Sequence, residues 1–167
     1  MRVPIRKAGP YTHIKPDTHI TPEKYAELSA KLDKLKNVKR PREAAEVKRL
    51  ALMGDFSENA GYQLAKGRLR GINERILDIE YMLKHAEIIE PDADSDRVQL
   101  GHLVTLETEG KIKDYRILGG AETNPSAGVI SHNSPLGAAL LNKHVGDVVE
   151  INLADRTRIY KIIKISR

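Results

Sequence analysis

Asp55 and Glu58 are the residues of this chain whose type and spacing best suit chemistry. They lie three positions apart in the segment GDFSENAGY, residues 54–62. A hard cation such as Mg²⁺ commonly takes one or two carboxylates and keeps open positions for water or phosphate oxygens. The same spacing is also typical of a capping box, in which both acids would only satisfy free amides at a helix start. The two residues alone leave both interpretations open.

Two heptad-patterned stretches flank this acidic segment. The first begins at Thr21, a favourable N-cap, and is interrupted at Pro41, where we expect a kink or a short break. The second repeats apolar residues at alternating spacings of four and three over residues 65–86. Because few residues separate the two stretches, we predict an antiparallel coiled-coil hairpin over residues 21–90, about 45 Å long, with residues 54–62 at its tip.

The apolar period changes from helical to alternating after a polar linker at residues 91–96. Over residues 97–167 the pattern predicts one short helix, opened by Ser134 and Pro135, and five strands. The strands are predicted at residues 103–107, 112–118, 129–131, 148–153 and 157–165. We therefore predict an α+β protein with a helical hairpin before a small α+β domain. Residues 1–20, which hold three prolines, are predicted to be a flexible extension.

Basic residues are concentrated in one part of the predicted hairpin. Residues 31–53 carry eight bases against three acids, although the whole chain has a net charge of only +5. Such a stripe attracts polyanions, and a solvated helix face is the simpler alternative. We call the following five residues the basic patch: Lys39, Arg40, Arg42, Lys48 and Arg49.

Composition argues against several classes of protein. The 167 residues include one Phe, no Trp and no Cys, which disfavours a bulky aromatic pocket for a small-molecule substrate and excludes thiol chemistry. The six histidines show no HxxxH spacing, so we expect structural or surface roles for them rather than a metal site. No apolar run is long enough for a membrane span, and the start lacks a secretory pattern, so we expect a cytoplasmic protein without a membrane partner.

The segment GDFSENAGY resembles the GD-x-SENA-x-Y signature of the bacterial GreA/GreB transcript cleavage factors. The flanking sequences KNVKRPREAAEVKRLALM and KGRLRGINERILDIEYMLKHAEII resemble the arms of that family, and VISHNSPLGAALLNKHVGDVVEI resembles its C-terminal segment. The resemblance spans about residues 19–167. It implies a coiled-coil hairpin followed by an FKBP-like domain.

The resemblance also implies a mechanism. The hairpin would enter the secondary channel of RNA polymerase, where Asp55 and Glu58 help to hold a Mg²⁺ ion shared with the polymerase active centre. The polymerase would then hydrolyse the 3′ end of a backtracked RNA, so that this chain acts as a cofactor protein rather than as an enzyme. Other tip residues would contact the polymerase: Phe56, Ser57, Asn59 and Tyr62. For Phe56, stacking on RNA and packing over the turn are alternatives.

One position departs from the family pattern. Gly61 stands where the family usually places a third acid, which removes a charge and puts glycine early in the second helix. A regulator of the same fold that inhibits polymerase without cleavage is the main rival, and retention of both tip acids argues against it. A coiled-coil adaptor or RNA binder also remains open. A prolyl isomerase is disfavoured because the C-terminal part offers only Tyr115 and Tyr160 as aromatics.

Overall fold

The computed structural model describes residues 17–53, 60–92, 95–153 and 156–167. It has the predicted α+β architecture, with three α-helices and a π-helical segment in the N-terminal part and a five-stranded sheet with one short α-helix in the C-terminal part. No helix in these ranges is long and apolar enough to cross a membrane. The elements are β1 (His19–Ile20), α1 (Pro22–Lys34), a π-helical segment (Leu35–Lys39), α2 (Arg40–Ala51), α3 (Ala60–Lys84), β2 (Glu87–Ile88), β3 (Leu103–Thr108), β4 (Lys111–Leu118), β5 (Val129–Ser131), α4 (Pro135–Leu140), β6 (Val148–Leu153) and β7 (Arg156–Ser166).

Helix α1 begins where the sequence predicts. The Oγ1 of Thr21 accepts a hydrogen bond from the backbone N–H of Lys24 at 3.1 Å, which satisfies one of the free amides of the first turn. Pro22 occupies the first helical position, where its missing N–H costs nothing. These two residues fix the start of the hairpin.

Pro41 does not break the first arm; the interruption predicted there takes the form of a π-helical segment between α1 and α2. The helical backbone continues through the π-helical segment into α2, and the N–H of Arg40 donates to the carbonyl of Leu35 five residues earlier. Proline has no N–H to donate, and its ring crowds the carbonyl of the preceding turn. The wider π turn accommodates that ring, so the first arm remains one long helical unit.

The hairpin is held together by a narrow apolar seam. Its buried centre consists of Leu35, Ile76 and Ile79, and Ala65 is fully buried nearer the tip. Partly buried residues extend the seam on both arms: Leu28, Leu32, Ile72 and Leu83. These are the positions that the heptad pattern predicts. Tyr25, which belongs to the same pattern, is 40% exposed and contributes less.

The C-terminal part is a five-stranded sheet in the order β5-β4-β3-β7-β6. Strands β4 and β5 run parallel, whereas the other neighbouring pairs are antiparallel. Helix α4 contributes Leu140, which is fully buried, to the apolar core of this domain. The hydroxyl of Ser134 accepts from the N–H of Gly137 at 3.1 Å, which confirms the predicted cap. All five predicted strands are present, with ends that differ by at most a few residues.

Residues 17–20 are part of the folded structure, although the sequence places them in the flexible extension. Strand β1 pairs in parallel with β2, and Ile20 is completely buried. The N–H and hydroxyl of Thr21 donate to the Glu122 carboxylate at 2.8 and 2.7 Å. These contacts join the base of the hairpin to the C-terminal domain, and we call this region the junction. Residues 1–16 of the predicted extension lie outside the described residues.

Candidate functional site

The predicted tip is positioned by the ends of α2 and α3. The first arm ends at Leu52 and Met53, whose side chains are 80% and 68% exposed, and α3 begins at Ala60. The tip residues between these ends lie outside the described residues: Asp55, Phe56, Ser57, Glu58 and Asn59. Their predicted roles therefore stay predictions.

Two further residues of the tip segment lie in the first turn of α3. Gly61 is exposed and Tyr62 is half-buried. Because glycine disfavours a helix by about 1 kcal/mol relative to alanine, this first turn has less intrinsic helical stability than the rest of α3. An acid at the position of Gly61 would point its charge toward the N-terminal end of the helix, where a negative charge is favourable.

Ion pairs between the arms fix the register that carries the tip. The Nε of Arg68 on α3 donates to Oε2 of Glu43 on α2 at 2.9 Å. Nearer the base, Lys36 pairs with Glu80 across the same seam. Each exposed pair contributes at most about 1 kcal/mol to the free energy of unfolding. Both pairs can form only in the antiparallel alignment in which the apolar seam is also buried. The ends of α2 and α3 that flank the tip segment therefore lie at the end of the hairpin opposite the junction.

Part of the basic patch lines a groove between α2 and α3. The groove has four basic side chains along it, Lys39, Arg42, Arg68 and Arg75, beside the apolar Leu35 and Ile72. We call this the basic groove. Glu43 also lines it and neutralises Arg68. No ion pair involves Lys39, Arg42 or Arg75 within the described ranges, so three positive charges remain available to an anionic partner.

The other members of the basic patch are placed differently. Arg49 is committed to Glu46, because its Nε and Nη2 both donate to that carboxylate at 2.8 Å. This hydrogen bond holds the pKa of Glu46 below its ordinary value. Arg40 and Lys48 are exposed and do not line the groove. From the predicted patch the basic groove therefore contains only Lys39 and Arg42, and Arg42 also lies beside Arg49 in a neighbouring groove.

Sequence reasoning missed Arg68 and Arg75 as members of the basic groove. They are contributed by α3, and only the antiparallel register places them beside Lys39 and Arg42. Their spacing of seven residues is a usable signal, since it puts both side chains on one face of a helix. That face carries Arg68, Gly71 and Arg75 next to the apolar seam.

Comparisons with known proteins define the class of this chain. Residues 18–88 match the family model "Transcription elongation factor, N-terminal", and residues 93–167 match "Transcription elongation factor, GreA/GreB, C-term". Together these matches account for most of the chain, and they identify its fold and sequence as those of a transcription elongation factor. The chain belongs to the GreA/GreB family, as the tip signature predicts.

Two relatives of similar length agree with this assignment. Transcription elongation factor GreA of Macrococcus caseolyticus is 40% identical over 150 residues, covering 88% of this chain and 95% of the relative. GreA of Thermomicrobium roseum is 39% identical over 148 residues, covering 87% and 95%. Among solved structures, GreA factor homolog 1 (Gfh1) of Thermus thermophilus is 26% identical, covers 89% of this chain and 98% of its own, and gives a TM-score of 0.41.

Proposed function

We propose that this protein stimulates RNA polymerase to cleave the 3′ end of backtracked RNA and so rescues arrested elongation complexes in the cytoplasm. Membership of the GreA/GreB family supports the proposal, together with a tip that retains both Asp55 and Glu58. The chain is a cofactor protein in this account, since the polymerase owns the substrate and the principal active centre.

The shape of the described structure suits insertion into a narrow channel. The first arm has 30 residues from Pro22 to Ala51, which corresponds to about 45 Å. The helical backbone of the arm continues through the π-helical segment, and the buried seam packs the arm against α3. The C-terminal domain at the opposite end would remain outside and dock on the polymerase surface.

The donor set of the tip suits Mg²⁺. Asp55 and Glu58 offer hard carboxylate oxygens, which Mg²⁺ prefers, and two carboxylates leave room for water and phosphate oxygens. An ion held there supplies charge neutralisation and lowers the pKa of bound water. In this account the two side chains position the ion and orient the attacking water, and the polymerase provides the other ligands.

The basic groove would contribute to binding rather than to chemistry. Lys39, Arg42 and Arg75 carry positive charge along the side of the hairpin, between the tip and the junction. In a channel they would face phosphates or acidic walls. Charge in this position steers association and weakens with salt. It also compensates part of the repulsion that the tip acids would meet beside RNA.

The test is cleavage of radiolabelled RNA in a backtracked elongation complex with and without this protein. Stimulated release of 3′ fragments is the expected result. Slower elongation without any fragment release would instead identify an inhibitor that occupies the same channel. No effect on the polymerase would favour an adaptor or an RNA binder.

A second set of variants separates metal binding from helix capping at the tip. Asp55→Asn and Glu58→Gln should abolish stimulation while polymerase binding stays near the wild-type level. Asp78→Asn and Glu74→Gln are matched controls, because they make the same charge changes at exposed positions of α3. If the tip variants cleave like the controls but unfold earlier, at a cost of about 0.5 to 2 kcal/mol, the acids are caps.

A further inference from the structure

Three side chains at the junction converge on one point although they are far apart in the sequence. Asp17 and His19 precede α1, and His132 follows β5. One ligand atom of each lies within 4.8 Å of the other two. The Nδ1 of His19 is 2.9 Å from Oδ1 of Asp17, and the Nδ1 of His132 is 3.4 Å from Oδ2 of Asp17. We call these three residues the junction cluster.

The spacing of these atoms suits a metal ion at their centre. Zinc binds imidazole nitrogen and carboxylate oxygen at about 2.0 to 2.2 Å, which separates neighbouring ligand atoms by about 3 to 3.5 Å. The Nδ1 of His19 lies 2.9 Å from one Asp17 oxygen, just below that range, and the Nδ1 of His132 lies 3.4 Å from the other Asp17 oxygen and also 3.4 Å from the carbonyl oxygen of Leu118. The side chains of Asp17 and His132 are only 15% and 14% exposed, whereas that of His19 is 39% exposed, so the site is partly buried and open to solvent on the His19 side.

A second carboxylate lies on the outer side of the His19 ring. Its Nδ1 faces Asp17, and its Nε2 lies 3.3 Å from Oε2 of Glu87. With a metal at Nδ1, the Nε2–H would donate to Glu87, which is the outer carboxylate that metal-bound histidines commonly have.

The Asp17 carboxylate is also held in place for this role. The N–H of Gly120 donates to its Oδ2 at 2.6 Å, and the N–H of His19 donates to its Oδ1 at 3.2 Å. These two hydrogen bonds fix the orientation of the carboxylate beside the imidazole rings.

We infer that Asp17, His19 and His132 form a binding site for a divalent transition metal ion of the zinc class, with Glu87 as an outer positioning residue. Two imidazoles and one carboxylate favour zinc over Mg²⁺ or Ca²⁺, which prefer all-oxygen sites. The ion would tie the segment before α1 to the loop after β5. It would thus fasten the base of the hairpin to the C-terminal domain, a role separate from the tip chemistry.

The test is equilibrium dialysis of the full chain against zinc, followed by thermal unfolding with zinc or with a chelator. We expect one bound zinc per chain and a melting temperature raised by about 5 to 10 °C at a free zinc concentration of 100 times Kd. Asp17→Asn and His132→Gln should each lose the bound zinc and this rise. Glu87→Gln should weaken affinity by about 10- to 100-fold, as loss of an outer carboxylate does elsewhere.

Controls separate this site from other possible ligands. His85→Gln removes an exposed histidine whose Nδ1 hydrogen-bonds the carbonyl of Tyr81, and it should bind zinc like the wild type. The double variant Asp55→Asn and Glu58→Gln should also keep the zinc, which distinguishes this site from the proposed tip function. Absence of zinc binding to the wild type, or full binding by both Asp17→Asn and His132→Gln, would overturn the inference.

Discussion

Alanine at Gly119 should displace β1, which pairs with β2 and contacts the loop after β4. A Cβ built on Gly119 lies 1.8 Å from the carbonyl oxygen of His19, whereas ordinary contacts of this kind begin near 3.4 Å. One backbone must therefore move by about 1.5 Å, which also stretches both hydrogen bonds from Thr21 to Glu122 beyond their useful range. We expect the docked junction to lose about 2 to 3 kcal/mol, since overpacking and the loss of charged hydrogen bonds act together.

Hydrogen exchange at two amides reports this loss directly. The N–H of Glu87 donates to the carbonyl of Thr18, and the N–H of Ile89 donates to that of Ile20, both at 2.9 Å. These bonds open when the strand before α1 leaves β2. A loss of 2 to 3 kcal/mol corresponds to exchange that is about 30- to 150-fold faster in Gly119→Ala than in the wild type, measured with a chelator present.

Gly67→Ala is the matched control for this substitution. A Cβ at Gly67 meets nothing within 4 Å, so the change should raise helix stability by about 0.5 to 1 kcal/mol and leave exchange at Glu87 unchanged. If Gly119→Ala protects the Glu87 amide as well as the wild type does, the close approach of the two backbones does not hold the junction together. The reasoning about docking would then fail.

Three further predictions concern the groove, the tip and the junction. The double change Lys39→Glu and Arg42→Glu should weaken polymerase binding more at low salt than at high salt in an anisotropy titration, and equal losses at both would exclude a screened electrostatic role. Gly61→Glu should shift the Mg²⁺ midpoint of RNA cleavage to lower concentration while Gly61→Ala does not, whereas equal shifts would assign the effect to helix stiffness. With a chelator present, Asp17→Asn should lower stability by about 1 kcal/mol at pH 7. Because the pKa of Asp17 is lowered on folding, its contribution is present above its ordinary value of 3.8 and disappears as pH falls below it. A thermal-unfolding difference that stays constant from pH 7 to pH 3 would contradict this.

Local patterns predict most of the fold because each element carries its own signal. Thr21 and Ser134 predict two helix starts because their hydroxyls can cap a helix, and both hydroxyls accept the predicted hydrogen bonds. The strands can be predicted from the local sequence alone, since each buries one face on a shared core and therefore alternates apolar and polar residues. The heptad seam identifies the buried residues of both arms for the same reason.

Features that depend on distant pairing could not be predicted in this way. Strands β1 and β2 have two residues each, too few to show a period, and they lie more than sixty residues apart. The Asp17 and His132 side chains meet only because the domain docks on the hairpin base. The π-helical turn before Pro41 was likewise not predicted, because the general effect of proline on a helix indicates a kink or a break and does not specify a wider turn.

Single-turnover cleavage of a backtracked complex tests the central claim most directly. The rate of 3′ fragment release is measured with saturating wild-type protein, with saturating Glu58→Gln, and with polymerase alone. The account predicts strong stimulation by the wild type and a rate with Glu58→Gln equal to that of polymerase alone, although the variant still competes with the wild type for binding. Cleavage by Glu58→Gln at the wild-type rate would contradict the claim that the tip carboxylates act in the reaction.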